Sequence, residues 1–142
     1  MNIQKTTVVC VTSQLTCERL IRAARRIADL TNTRLLVISV MPENPSQDSL
    51  KSLEYLFNVS KDFDAQMDVV YNSDAFTTLC KYFRKNDAQN VVTGMPVGNS
   101  SVLEKLWEKF SSICFYAVDF SDMILEVHNQ KLQMINADKV KV

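Results

Sequence analysis

Short runs of apolar, β-branched residues alternate with segments of helical periodicity along most of this chain. Such runs predict strands that are buried on both faces, and their alternation with helices predicts βαβ units and a parallel sheet. We therefore predict an α/β fold with a Rossmann-like, doubly wound open sheet of five parallel strands. The predicted strands cover residues 6–11, 35–40, 67–71, 90–93 and 113–118.

Polar residues that can accept hydrogen bonds from a first helical turn predict where the helices begin. Thr16 and Ser73 are the predicted caps of the first and third helices, and Ser101 with Glu104 forms a capping box at the fourth. Pro45 and Ser46 are predicted to open the second helix. Apolar residues at steps of three and four mark the faces predicted to be buried. These faces comprise Cys17, Leu20, Ile21, Ala24, Ile27, Ala28 and Thr31, then Leu50, Leu53, Leu56 and Phe57, then Phe76, Leu79, Cys80 and Phe83, and finally Leu103, Leu106, Trp107 and Phe110.

The segment from residue 121 to residue 142 departs from this alternation. Two apolar runs, 124–127 and 131–135, flank His128, Asn129 and Gln130, a pattern that predicts a β-hairpin. The last residues, 136–142, are expected to fray. We therefore divide the chain into an α/β domain over residues 1–120 and a C-terminal tail or hairpin over residues 121–142.

Composition limits the partners of the chain. Its 142 residues suit one domain, and its 16 basic residues balance 16 acidic ones, so no global field attracts nucleic acid or an anionic membrane. No apolar run approaches the roughly 20 residues of a membrane-spanning helix. The first predicted strand begins too early to leave room for a signal peptide. We expect a cytoplasmic protein with no membrane span and no nucleic-acid partner.

Metal-binding and catalytic patterns are scarce. The four cysteines, Cys10, Cys17, Cys80 and Cys114, include no CxxC pair and are interpreted as free thiols in a reducing compartment. The single histidine, His128, is distant in sequence from all of them, so no metal site is predicted. No base or nucleophile elbow accompanies Ser13, and the P-loop signature is missing. We expect no catalytic residues and no self-sufficient enzyme.

Ligands of open parallel sheets bind beyond the carboxyl ends of the strands, where the winding direction reverses. Here that crevice lies between the first and fourth strands, so loops 12–16 and 94–101 form the candidate site. The first loop carries hydroxyls and no carboxylate. A phosphoacceptor receiver domain needs an aspartate at the end of the first or third strand, where this chain has Thr12 and Ser13 or Tyr71 and Asn72. That class is excluded.

Both glycines of the chain, Gly94 and Gly98, lie in the second loop, whereas average usage would give roughly ten glycines in all. Glycine permits positive φ and close backbone approach, as a phosphate-binding turn requires. Asn99, Ser100 and Ser101 add polar groups beside a helix N-terminus. A tight strand-to-helix turn needing glycine for its geometry explains the same pattern, so both interpretations stay open.

Four arginines form a basic stripe opposite the apolar face of the first helix: Arg19, Arg22, Arg25 and Arg26. We interpret this stripe as a solvated face. The alternative is a docking surface for an acidic partner or an anionic lipid headgroup.

Residues 8–13 (VVCVTS) and 18–28 (ERLIRAARRIA) resemble the start of the universal stress protein domain in KdpD-type sensor histidine kinases. The resemblance covers residues 6 to 119 and is architectural after the first third. It implies five parallel strands in the order 3-2-1-4-5 and a homodimer formed through the fifth strand. It also implies binding of an adenine nucleotide or, as in some KdpD-type domains, cyclic di-AMP.

The chain departs from the ATP-binding pattern of that family, which has an aspartate after the first strand and a G-x2-G-x9-G-[ST] run after the fourth. Thr12 and Ser13 stand in the aspartate region, and three residues rather than two separate Gly94 from Gly98. Glu108 stands where the third glycine would fall. The ATP-binding motif is therefore degenerate.

Together these observations favour a non-catalytic regulatory or stress-response module that requires no cofactor and binds a small anionic ligand, an adenine-type nucleotide or cyclic di-AMP, at the crevice. The alternative is a ligand-free dimeric interaction module. An enzyme on the same fold is the third hypothesis, and it lacks an identifiable acid/base pair. The predicted ligand-binding residues are Thr12, Ser13, Val40, Gly94, Met95, Gly98, Asn99, Ser100 and Ser101.

Overall fold

The structure is a computed structural model that describes residues 4–96, 101–129 and 131–134. A short 3₁₀ turn, Leu15–Cys17, leads into the first helix. The elements in chain order are β1 (Thr6–Cys10), α1 (Glu18–Thr31), β2 (Arg34–Met41), α2 (Gln47–Asp62), β3 (Gln66–Tyr71), α3 (Ala75–Lys85), β4 (Ala88–Gly94), α4 (Ser101–Lys109), β5 (Cys114–Val118), β6 (Ile124–His128) and β7 (Lys131–Met134).

All described strands belong to one sheet with the order β3-β2-β1-β4-β5-β6-β7. Pairing is parallel from β3 through β5 and antiparallel from β5 to β7. Over the described residues the sheet is therefore mixed and has seven strands, two more than the five parallel strands predicted, because the C-terminal hairpin extends it. The β1 strand lies in the interior of the sheet, with β2 and β4 as neighbours, so the winding direction reverses between β1 and β4.

Helices cover both faces of the sheet. Neighbouring strand residues point to opposite faces: Val9 lies in a cluster with α1 and α2, and Val8 lies in a cluster with α3 and α4. Both valines are fully buried. The apolar strand runs are explained by this double burial, as the sequence predicts for a parallel sheet.

The β6–β7 hairpin occupies the edge of β5. Residues Tyr116, Ala117 and Val118 of β5 pair with β6, and Val127 and Leu132 of the hairpin pack against the α3–α4 cluster. This is the edge through which the family resemblance implies a homodimer. Pairing of β5 between two copies would require the hairpin to leave this position.

Two of the predicted caps differ from the structure. The second helix opens where it was predicted to, and Ser46 caps it, since its Oγ accepts the backbone N–H of Ser49 at 3.1 Å. Thr16 caps nothing, because the 3₁₀ turn Leu15–Cys17 precedes α1. Asp74 rather than Ser73 caps α3, where a carboxylate accepts the hydrogen bond and also complements the helix dipole.

The predicted buried face of α2 is too wide. Leu53 and Leu56 are buried, whereas Leu50 and Phe57 are each 43% exposed. The helix contacts α1 and the edge strand β3, so only a narrow stripe of α2 meets the core. The ring of Phe57 instead lies beneath the Lys61 ammonium, 4.7 Å from its centroid.

No helix in the described part of the chain is both long and apolar enough to cross a membrane.

Candidate functional site

A cavity of about 430 Å³ opens at the carboxyl ends of β1, β2 and β4. Its position is the crevice that the sequence predicts, at the reversal of winding between β1 and β4. Its volume lies within the range of small-molecule sites. Four of the predicted ligand-binding residues line it: Thr12, Val40, Gly94 and Met95.

The other predicted residues are placed differently. Ser13 is not among the residues that line the cavity, and its hydroxyl donates to Oγ of Ser49 in α2 at 3.2 Å. Gly98, Asn99 and Ser100 lie outside the described residues, and so does the side chain of Ser101, the first residue of α4. That any of the nine binds a ligand stays a prediction.

Gly94 ends β4 and pairs with Val118 of β5. Its φ lies outside the positive region that favours glycine, and a Cβ added to it would meet Leu20 Cδ1 at 3.9 Å, an ordinary van der Waals distance. Neither backbone conformation nor packing among the described residues therefore requires glycine here. This finding weakens the purely geometric explanation for Gly94.

Most of the wall is apolar. Val11, Ile38, Leu79, Val102 and Leu103 line the cavity beside Val40 and Met95. Such a surface suits the flat face of a base or another apolar group, and the hydroxyl of Thr12 supplies a polar contact at the rim.

Cys10, the last residue of β1, also lines the cavity. Burial of the thiol raises its pKa to about 12. The thiol is therefore protonated at neutral pH, and because the thiolate is the reactive form, Cys10 is suited to packing rather than to nucleophilic attack.

Arg19 and Phe120 are cavity residues that the sequence analysis did not assign to the site. Arg19 lies in the first turn of α1, and its Nη1 donates to the carbonyl oxygen of Val118 at 3.2 Å. Two other arginines of the stripe form ion pairs instead: Arg22 pairs with Glu18 and Arg25 with Asp29, each at 2.8 Å. The sequence did carry a signal for Arg19. The helix that follows β1 begins at the carboxyl end of that strand, which is where the crevice lies.

A second cavity, of about 350 Å³, lies at the amino ends of β1 and β2. Its lining includes Arg25, Asp29, Arg34 and Asp64. Its Arg25 already pairs with Asp29 and donates to the carbonyl oxygen of Asp64. Because ligands of open α/β sheets bind outside the carboxyl ends of the strands, we assign the candidate site to the first cavity.

His128 lies in β6, where its Nε2 is 3.1 Å from Oε2 of Glu126. It is not among the residues that line the cavity. Within the described ranges no group of three or more histidine, cysteine, aspartate or glutamate residues is placed to hold a metal ion.

No family model matches the sequence, and no curated protein matches it. Solved structures do. A universal stress protein family structure from Burkholderia pseudomallei superposes with a TM-score of 0.58 at 16% identity, over 80% of this chain and 95% of that one. The universal stress protein from Archaeoglobus fulgidus in complex with dAMP gives 0.58 at 19%, over 76% and 93%.

A universal stress protein in complex with cAMP gives a TM-score of 0.52 at 20% identity, over 74% of this chain and 82% of that one. Identities this low carry the architecture and not the activity. The chain therefore has the fold of the universal stress proteins, a doubly wound α/β sheet, here extended by a C-terminal hairpin.

Proposed function

We propose that this protein is a non-catalytic regulatory module of the universal stress protein type that binds an adenine-type nucleotide in the β1/β4 cavity. We also propose that the protein is cytoplasmic. The resemblance of residues 8–28 to KdpD-type domains is the basis for proposing a signalling role.

One observation carries the binding proposal: Gly94 lines the cavity and has no Cβ although nothing described around it forbids one. Absence of a side chain at this point lets a ligand approach the backbone at the end of β4 closely. The apolar wall beside Gly94, which includes Val40 and Met95, accommodates a base.

The fold relatives support the choice of ligand class. Two of the solved universal stress protein structures hold cAMP and dAMP respectively, both adenine nucleotides. Degeneracy of the glycine motif argues against the usual ATP geometry, so a smaller adenine nucleotide is the better candidate.

Thermal unfolding with a panel of adenosine, AMP, cyclic AMP, ATP and cyclic di-AMP tests the proposal. A ligand present at about 100 times its dissociation constant adds about 2.7 kcal/mol of stability. That corresponds to a rise in Tm of several degrees for a domain of this size. A panel in which no nucleotide raises the Tm of the wild-type protein would contradict the proposal.

Gly94→Ala is the informative variant. We expect it to fold with a Tm close to that of the wild type, because its Cβ meets only an ordinary contact with Leu20, and to lose most of the nucleotide-induced shift. Unfolding of Gly94→Ala would show instead that glycine is needed for structure. A matched hydroxyl pair serves as control: Thr12→Val should weaken binding, whereas Ser13→Ala should not, because only Thr12 lines the cavity.

The second candidate is a ligand-free interaction module that forms a homodimer or binds another protein. Two large apolar side chains near the cavity favour it, since Leu15 is 57% exposed and Phe120 is 77% exposed. Replacing both with serine should abolish self-association in sedimentation velocity if this surface forms the interface. Unchanged sedimentation of a dimeric protein would reject this surface as the interface.

A further inference from the structure

Arg19 is held at the mouth of the cavity by two uncharged groups. Its Nη1 donates to the carbonyl oxygen of Val118 at 3.2 Å, and its guanidinium carbon lies 4.5 Å from the centroid of the Phe120 ring. A carbonyl and an aromatic face fix the plane of the guanidinium and leave its positive charge in place.

The Nε atom of Arg19 is buried and has no hydrogen-bond partner among the described residues. Burying a donor without a hydrogen-bond partner costs free energy, so an unpartnered buried group in a native structure calls for an explanation. Only one hydrogen bond to the guanidinium is formed within the described part of the protein, so further N–H donors remain for a ligand.

No carboxylate in the described ranges lies within ion-pair distance of Arg19. Acidic residues adjacent to the site in sequence are engaged elsewhere. Glu18 accepts hydrogen bonds from Arg22 and from the Tyr55 hydroxyl. Asp119 accepts the backbone N–H groups of residues 121 and 123 through Oδ1. None of the described residues thus neutralises the charge of Arg19.

Among the described residues that line the cavity, Arg19 is the only charged one. A single cation beside an apolar wall matches a ligand with one anionic group and an apolar body. Additional anionic groups inside this cavity would lose hydration without gaining a charged partner among the described residues.

We propose that Arg19 is the anion-binding residue of the cavity and that it selects a ligand with a single phosphate group, a nucleoside monophosphate. This inference rests on the proposed function and names the part of the ligand that the cavity recognises. Guanidinium N–H groups donate to phosphate oxygens in charge-assisted hydrogen bonds, and the base lies against the apolar wall near Val40.

Isothermal titration with adenosine, AMP and ATP on the wild type and on Arg19→Gln tests this. We expect the wild type to bind AMP on the order of tenfold or more tightly than adenosine, which is the scale of a hydrogen bond to a charged group. ATP should bind no more tightly than AMP. Arg19→Gln should bind AMP only as tightly as adenosine, with adenosine affinity unchanged.

Arg26→Gln is the matched control. It removes the same charge from the same helix about 10 Å further along its axis, seven residues on at about 1.5 Å each, where the side chain is exposed. Its AMP affinity should equal that of the wild type. Equal losses in both variants would mean that general electrostatic attraction, and not Arg19, binds the anion.

The outcomes separate the two proposals. Absence of binding by wild-type protein to all three compounds would overturn the proposed function together with this inference. Binding of AMP that is equally tight in the wild type and in Arg19→Gln would overturn the inference alone. A lowered Tm of Arg19→Gln together with an unchanged ratio of AMP to adenosine affinity would also overturn the inference alone. Arg19 would then serve only to attach α1 to β5.

A measurement on the wild type keeps the test decisive if Arg19→Gln fails to fold. Raising the KCl concentration from about 50 mM to about 500 mM should weaken AMP binding and leave adenosine binding unchanged, because salt screens the charge interaction. Equal salt dependence for AMP and adenosine would overturn the inference.

Discussion

The Tyr82 hydroxyl donates a hydrogen bond of 2.6 Å to Oδ2 of Asp68, which attaches α3 to the edge strand β3. Burial, followed by the hydrogen bond to Asp68, raises the pKa of Tyr82 above its ordinary value. The neutral phenol is therefore the form that stabilises this contact. It anchors β3, whose outer edge no described strand covers.

Tyr82→Phe removes this hydrogen bond and leaves the partly buried Asp68 carboxylate with Gln66 as its only side-chain donor among the described residues. We expect a loss of about 1 to 3 kcal/mol in the free energy of unfolding, the scale for a hydrogen bond to a charged group. Urea denaturation measures it. Tyr71→Phe, the same change at an exposed tyrosine of β3, should have an effect below about 0.5 kcal/mol. Similar losses in both variants would contradict the role given to Tyr82.

A buried polar network joins β1, β4 and the end of α1. Thr7 Oγ1 shares a hydrogen bond of 2.6 Å with Thr33 Oγ1 and accepts from Asn90 Nδ2 at 3.0 Å. Thr7→Val keeps the shape of the side chain and deletes both bonds. We expect it to cost about 1 to 3 kcal/mol of stability, because Asn90 and Thr33 are buried and each loses one partner.

Ser39 provides the opposite case in β2. It is fully buried, and its Oγ has no partner among the described residues. Ser39→Ala should therefore leave the free energy of unfolding unchanged or raise it by up to about 1 kcal/mol. Denaturation of this variant beside Thr7→Val compares two hydroxyl deletions in one sheet. A loss above about 1 kcal/mol for Ser39→Ala would show that its hydroxyl is hydrogen-bonded after all.

Alkaline pH should destabilise the protein. Burial raises the pKa of both Cys10 and Tyr116 to about 12, from ordinary values of 9.0 and 10.0. These groups bind protons more tightly in the folded state, so their stabilisation is complete below pH about 8 and is lost between about 9 and 12. Cys10, whose thiol is buried, contributes up to about 1.4 kcal/mol per pH unit in that window. Tyr116 is only partly buried and contributes less, because solvent screens its charge.

Urea denaturation between pH 7 and pH 11 measures this loss. Tyr116→Phe should flatten the decline, since the substituted ring has no proton to release. A stability that stays constant through pH 11 in the wild type would contradict the assigned shifts.

The hairpin should be needed for stability and for a closed sheet edge. A chain that ends at Phe120 loses the β6 partner of β5 and exposes the apolar surface that Val127 and Leu132 cover. We expect it to unfold at a lower urea concentration and to self-associate through the unpaired edge. A chain that ends at Met134 keeps all described strands and serves as the control. Sedimentation velocity and denaturation that match in the two chains would refute this role.

Local patterns of the sequence predicted much of the fold. Apolar runs such as residues 35–40 indicate strands wherever they lie, because burial on both faces requires apolar side chains at every position. The spacing of Leu20, Ile21, Ala24 and Ile27 likewise indicates the face of α1 that is buried. The order of the five parallel strands came from the family resemblance.

Other properties depended on distant contacts. Arg19 is held by Val118, which lies 99 positions away along the chain, and by the ring of Phe120. Helical periodicity carries no information about such contacts, so it predicted only that Arg19 lies in a solvated stripe. Exposure of Phe57 follows from the position of α2 beside an edge strand. The sequence by itself determined which segments are strands and helices, because that information lies in neighbouring residues. Only the tertiary structure decided which side chains surround the cavity, because strands distant in sequence bring them together.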